Sequence, residues 1–262
     1  MRISYRAIVG RAGLAVAIAA ITWVGALAQR APDLTPRGQA MSDYSDCMEL
    51  ARADPIAAHK SALAWRARGG GEAAIHCVAV ALLGLGEYTQ AARAMEGLVA
   101  RTAAKRPDLR AGLLAQAANT WLIAGKPRAA LAAQNKSLAL RPNDVATLID
   151  RSIANTSLAR DWDALDDLNR ALELDPDRTE ALIFRAAAWR RVEGWDLAAQ
   201  DINRALALRA DNPDALLERG LIRRQRGDKA GARADWLKLL EISADGPLTE
   251  AARLYLQALD VK

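Results

Sequence analysis

Aromatic side chains are scarce in this sequence, at 5 % of residues with a single Phe, and cysteine and histidine occur only twice each. Runs of β-branched residues with period-two alternation are missing, which leaves no material for a sandwich or barrel. The apolar 52 % is instead mainly Ala and Leu, the strongest apolar helix formers. An all-α chain is expected. The two histidines, His59 and His76, have no evident Ser or Cys nucleophile beside them. The spacing of Cys47, His59, His76 and Cys77 fits no ordinary zinc pattern. No strand precedes a glycine-rich loop, and Gly69-Gly70-Gly71 reads as a helix terminus. The adjacent carboxylates Asp166 and Asp167 read as a solvated helix face. No catalytic residue, cofactor or metal is therefore expected, and an enzyme is the least supported class.

A large excess of one charge is absent too. The formal charge is +5, and taking away Arg2, Arg6 and Arg11 of residues 1–28, which hold no acid, leaves +2. That excess, without a block of like charges, argues against a phosphate-backbone binder, so nucleic acid is not an expected partner.

Those first 28 residues read as an export signal. The three arginines form a basic start, Leu14 to Ile21 is an apolar run continuing to Trp23-Val24, and Ala26-Leu27-Ala28 is a small-x-small cleavage box. The alternative is an uncleaved anchor, because Ala12 to Ala28 gives 17 residues, at the lower edge of a bilayer span. Cleavage is favoured by the weak hydrophobicity of the Ala-rich stretch. The expected location is exported, periplasmic, with membrane contact only through residues 1–28 if they are retained. Residues 29–40, with two prolines and a glycine, read as a linker.

What dominates the remainder is self-similarity at 34 residues. Asp167-Leu-Asn-Arg-Ala-Leu172 returns as Asp201-Ile-Asn-Arg-Ala-Leu206, and Arg151, Arg185 and Arg219 keep the same interval. In units 72–110, 111–144, 145–178, 179–212 and 213–246, position 4 is Ile75, Leu114, Leu148, Leu182 and Leu216. Position 8 is small: Ala79, Ala118, Ser152, Ala186 and Gly220. Position 20 is always Ala, at 91, 130, 164, 198 and 232. Position 24 is Met95, Gln134, Leu168, Ile202 and Trp236. Gly86, Gly125 and Gly227 stand at position 15, with Gly194 one place late. In this pattern the chain resembles the tetratricopeptide repeat (TPR) family, with residues 38–71 a degenerate first unit and five extra residues between Ala100 and Arg110.

The resemblance implies an all-α, right-handed superhelical solenoid of antiparallel helix pairs, about six hairpins over residues 41–246, closed by a capping helix at 247–262 that uses Leu248, Ala251, Leu254, Leu256 and Leu259. Small residues let paired helices approach, and stacked neighbours bury what one hairpin cannot. Arg151, Arg185 and Arg219 at position 7 are expected to pair with Asp167, Asp201 and Asp235 at position 23. Cys47 and Cys77 fall on the first helices of adjacent units, and an exported chain favours their disulfide.

In the family the first helices line a concave groove through positions 2, 5, 9 and 12. Here that wall includes His76, Val80, Ala115, Asn119, Ile149, Ile153, Ile183, Ala187, Leu217 and Leu221. Asn119 is placed to hold a peptide backbone, and Arg190 and Arg224 supply charge at one rim. The family's terminal-carboxylate clamp matches only at Asn119, since Ala115, Asp150, Glu180 and Phe184 stand where its other residues would be. The resemblance thus implies an exported scaffold binding a protein or peptide in the groove; a structural subunit of an envelope assembly is the alternative, and an enzyme accessory ranks below both.

Overall fold

The computed structural model describes residues 40–243 and 245–260; the expected signal segment 1–28 and the linker to residue 39 lie outside the described residues. Among the described residues every regular element is a helix. In order these are α1 (Ala40–Ala53), α2 (Pro55–Ala67), α3 (Gly71–Gly84), α4 (Tyr88–Arg101), α5 (Pro107–Ile123), α6 (Pro127–Leu140) and α7 (Val145–Ser157). They continue with α8 (Asp161–Leu174), α9 (Thr179–Arg191), α10 (Trp195–Leu208), α11 (Pro213–Gln225), α12 (Lys229–Ile242) and α13 (Pro247–Asp260). They form two compact units, residues 40–154 and 155–260, with the boundary inside α7.

Turn chemistry sets the hairpins. Position 15 takes a left-handed backbone in all five of the better-matching repeats: Gly86 (φ 78°), Gly125 (68°), Ala159 (57°), Glu193 (63°) and Gly227 (88°). Each time the next residue's N–H reaches back to a carbonyl five residues earlier, as in Lys126 to Trp121 (2.9 Å), Arg160 to Asn155 (2.9 Å) and Gly194 to Trp189 (2.8 Å). That is the Schellman closure, which satisfies carbonyls left over at a helix end. Gly194 is therefore not a displaced turn glycine. Glu193 takes the left-handed site despite its Cβ, while Gly194 has φ −78° and starts α10. A Cβ on Gly194 would sit 2.9 Å from the Trp189 ring.

Extra length between Ala100 and Arg110 goes mostly into a helix. α5 has 17 residues where α7, α9 and α11 have 13, about one added turn. The first hairpin is built differently, turning at Asp54 alone. The Asp54 side chain accepts from the Ala57 N–H at 3.0 Å and Pro55 opens α2, a side-chain cap followed by proline in the first turn.

Packing follows the columns. The alanines at position 20 are fully buried in all five repeats, and position 8 is at most 1 % exposed wherever it carries a side chain. With no bulk at these sites the helices of a hairpin approach closely, and Leu, Ile and Met fill the space between successive hairpins. In the first unit α1 lies on α2 and α3, and each helix through α6 contacts its predecessor. In the second, α9 contacts α10 and α11, and α11 contacts α12 and α13. α13 thus sits where the first helix of another hairpin would sit. It does so through Ala251 and Ala252, both buried, while Leu254 is 54 % exposed and is not part of the covered face.

The repeated arginines bridge helices. Arg185 grips Asp201 with two bonds of 2.7 and 2.8 Å and also donates to Asn169 Oδ1 of the preceding repeat at 3.0 Å. Arg219 holds Asp235 at 2.6 Å, where Arg223 adds a third donor at 2.8 Å. Arg151 makes the same backward bond to Asn135, at 2.9 Å. Arg185 and Arg219 therefore tie their own hairpins internally, and Arg151 and Arg185 stitch theirs to the one before. Asp167 is not on a solvated face: it is buried and accepts from Asn155 at 3.1 Å, since position 23 points at the partner helix.

Cys47 of α1 and Cys77 of α3 form a disulfide with Cα atoms 6.2 Å apart. It joins the least repeat-like hairpin to the second one.

Candidate surface of the first helices

The expected wall residues lie at different depths. In the first unit, Ala115, Asn119, Val80 and Ile153 are half-buried, whereas His76 and Ile149 are each 1 % exposed. In the second, Ile183, Leu217 and Leu221 are almost covered, and Ala187, Arg190 and Arg224 are half-buried. Apart from Ala115, position 5 is thus consumed by packing. Positions 9 and 12 carry most of what a partner would touch.

His76 is the clearest departure from an open wall. Its ring bridges three first helices, with Nδ1 2.9 Å from the Tyr44 hydroxyl of α1 and Nε2 2.8 Å from Gln116 Oε1 of α5. A carboxamide oxygen only accepts, so Nε2 carries the proton and Nδ1 accepts from Tyr44. Burial pushes the imidazole below its ordinary pKa of 6.5, partly opposed by the Gln116 bond. With both ring nitrogens engaged and both sulfurs in the disulfide, none of these three groups is open to a metal.

Polar rim residues are likewise claimed from inside. Asn119 donates to Asp150 Oδ2 at 2.9 Å, leaving its own buried Oδ1 without a partner. Arg190 pairs with the buried Glu218 carboxylate. Burial alone would lower the Arg190 guanidinium, but Glu218 more than offsets it and holds it above its ordinary value. Gln116, Asp150 and Glu218 all stand at repeat position 6. That column of polar residues accepts from the preceding first helix, and their shared register is the sequence signal for it.

Arg224 is arranged otherwise. Its guanidinium lies 5.2 Å from the Tyr255 ring of α13 and 6.0 Å from the Trp236 ring of α12. The two rings stack at 5.2 Å and 29°, and the Trp236 indole donates to the Leu217 carbonyl at 3.2 Å. Trp236 is fully buried. Tyr255 falls at position 9 of the next repeat register. Sequence reading treated α13 only as a cap and missed it. Burial raises the Tyr255 phenol, although Arg190 and Arg224 pull it down.

The stacked helix pairs are an architecture seen in solved structures. No protein-family profile and no curated protein matches the sequence. Among solved structures, the chain is similar to TTC0263, a thermophilic TPR protein of Thermus thermophilus, at 22 % identity and TM-score 0.57, over 72 % of this chain and 98 % of that one. It is also similar to MamA (18 % identity, TM-score 0.54, 67 % of this chain and 97 % of the other) and to YrrB (17 %, 0.52, 73 % and 96 %). The chain has the tetratricopeptide fold. Identity at this level carries the architecture and not the ligand.

Proposed function

We propose that this protein is an exported scaffold that binds a protein or peptide segment along the exposed face of its first helices. The observation that carries the reading is the contrast between positions 5 and 9. Apart from Ala115, the aliphatic residues at position 5 are used up in packing, while positions 9 and 12, Leu221 excepted, leave half-exposed, chemically varied side chains. A surface of small apolar steps with isolated polar groups suits an extended segment better than a deep apolar anchor. YrrB, which shares the fold, is a TPR protein with an unusual peptide-binding site, and that supports the reading by analogy. Residues 1–28 direct export to the periplasm, with cleavage after Ala28.

The test is affinity capture from the exported fraction with full-length protein. Substituting Ile149 would damage the core, since it is 1 % exposed, so the probes are Ile153→Asp and Ala187→Glu, both half-buried. Each should stay folded and lose captured partners. Retention of every partner by both folded variants refutes the surface assignment. Intact-mass measurement of the exported material tests cleavage separately, and a mass that includes residues 1–28 refutes it.

A further inference from the structure

Within residues 155–260 one arginine differs from those around it. Arg223 is held by Asp235 at 2.8 Å, and Arg226 by Asp196 at 3.1 Å. Arg190 is neutralised by Glu218. Arg224 makes no ion pair among the described residues, and its side chain lies against the Tyr255 and Trp236 rings. Stacking on a ring engages the flat face of a guanidinium and leaves the N–H edge free. Tyr255 is half-buried, and with its phenol shifted upward its hydroxyl remains a donor at neutral pH. Arg224 and Tyr255 occupy positions 12 and 9 of adjacent first helices, on the face assigned to partner binding.

We propose that Arg224, seated on Tyr255 and Trp236, is a subsite for a side-chain carboxylate of an acidic peptide segment. This rests on the reading of the first-helix face as a peptide-binding surface and adds the partner's chemistry. Charge sets the ligand class. Arg190, Glu218 and Arg224 sum to a single positive charge, which one carboxylate balances and a phosphate dianion would overbalance. The buried Glu218 beside the subsite also disfavours a dianion. The guanidinium edge supplies paired donors for a carboxylate, and its ring support limits the rotamer freedom lost on binding. These residues are not those of the terminal-carboxylate clamp, whose positions here hold Ala115, Asp150, Glu180 and Phe184.

The experiment uses the full chain and a fluorescein-labelled, amidated nine-residue peptide of alternating leucine and glutamate, with its glutamine counterpart, read by fluorescence anisotropy. The glutamate peptide should bind about tenfold more tightly, a factor expected of a charge-assisted pair on a half-exposed surface. Arg224→Gln should erase that preference without weakening the glutamine peptide. Arg226→Gln, which removes an equal charge from the same helix end, should preserve it. Arg224→Lys, which keeps the charge and alters the edge, should give an intermediate ratio and serves if Arg224→Gln does not fold. A preference that survives Arg224→Gln, or survives undiminished in Arg224→Lys, overturns the subsite. Equal binding of both peptides to wild type overturns the subsite while leaving the peptide-binding surface standing. Binding of neither overturns both. Stronger displacement by sodium phosphate than by sodium acetate at matched ionic strength overturns the carboxylate assignment. Binding of a glutamine peptide with a free carboxyl terminus as tightly as the glutamate peptide overturns the assignment to a side chain.

Discussion

Gly220 stands in the middle of α11, where glycine costs about 1 kcal/mol relative to alanine. On helix propensity alone Gly220→Ala should stabilise the protein. The structure predicts the opposite. A Cβ at this site would lie 2.2 Å from Trp236 Nε1, 2.6 Å from Cε2 and 2.8 Å from Cδ1. Trp236 cannot yield easily, because it is fully buried, stacked on Tyr255 and hydrogen-bonded to the Leu217 carbonyl. Overpacking of this kind costs about 1–3 kcal/mol, and a contact this short places the cost toward the upper end. Net of the propensity gain, Gly220→Ala should lose about 1–2 kcal/mol. The decisive measurement is a double-mutant cycle with Trp236→Leu, followed by urea denaturation. Trp236→Leu alone should destabilise strongly, as it empties a large site. In that background Gly220→Ala should become stabilising by about 0.5–1 kcal/mol, since the obstacle is gone and only propensity remains. Additivity across the cycle, or stabilisation by Gly220→Ala in wild type, refutes the account.

Three other outcomes follow from the geometry. Glu193→Gly should raise the denaturation midpoint, by up to about 1 kcal/mol in stability, because glycine takes a left-handed backbone without the Cβ penalty; a loss in urea titrations counts against it. Arg185→Ala strips two bonds from the nearly buried Asp201 and should cost about 3 kcal/mol, and adding Asp201→Leu should recover much of that loss when the two variants are melted side by side. His76 is held neutral below its ordinary pKa of 6.5, so below that pH the unfolded chain takes up a proton that the native ring refuses. Stability should fall as pH drops through about 6.5, by at most about 1.4 kcal/mol per unit, and level off below the native pKa. Urea midpoints at pH 7.5 and 5.5 for wild type and His76→Asn check the sign, and an equal slope in both refutes the assignment.

The hairpins were legible because their determinants are local and recur. A small residue at positions 8 and 20 means the same thing in each unit, and five units in register reinforce one another. The turn site showed the limit of reading by residue type. Gly194 drew attention as a glycine near the right place, but the period required residue 193, and Glu193 obeys the period. Depth was less legible than direction. Repeat register puts His76 on the inner face, yet it cannot tell that Tyr44 and Gln116 close over the ring from both sides. The same holds for Asn119 and Arg190, whose acceptors Asp150 and Glu218 come from the neighbouring hairpin. Those partners are non-local in sequence and share only their position-6 register. Arg224 was read, with Arg190, as charge at one rim. The ion pairs of Arg223 and Arg226 and the placement of Tyr255 on α13 set it apart, and none of these is visible in the repeat register.

The Cys47–Cys77 bond carries a consequence for how the array comes apart. A linear stack of repeats opens most readily at its ends, where each hairpin has one neighbour instead of two. The disulfide rivets α1 to α3, so within residues 40–154 the first hairpin stays tethered to the second even when its own packing opens. Reduction removes that tether, which makes the opening of α1 and α2 a redox-dependent event.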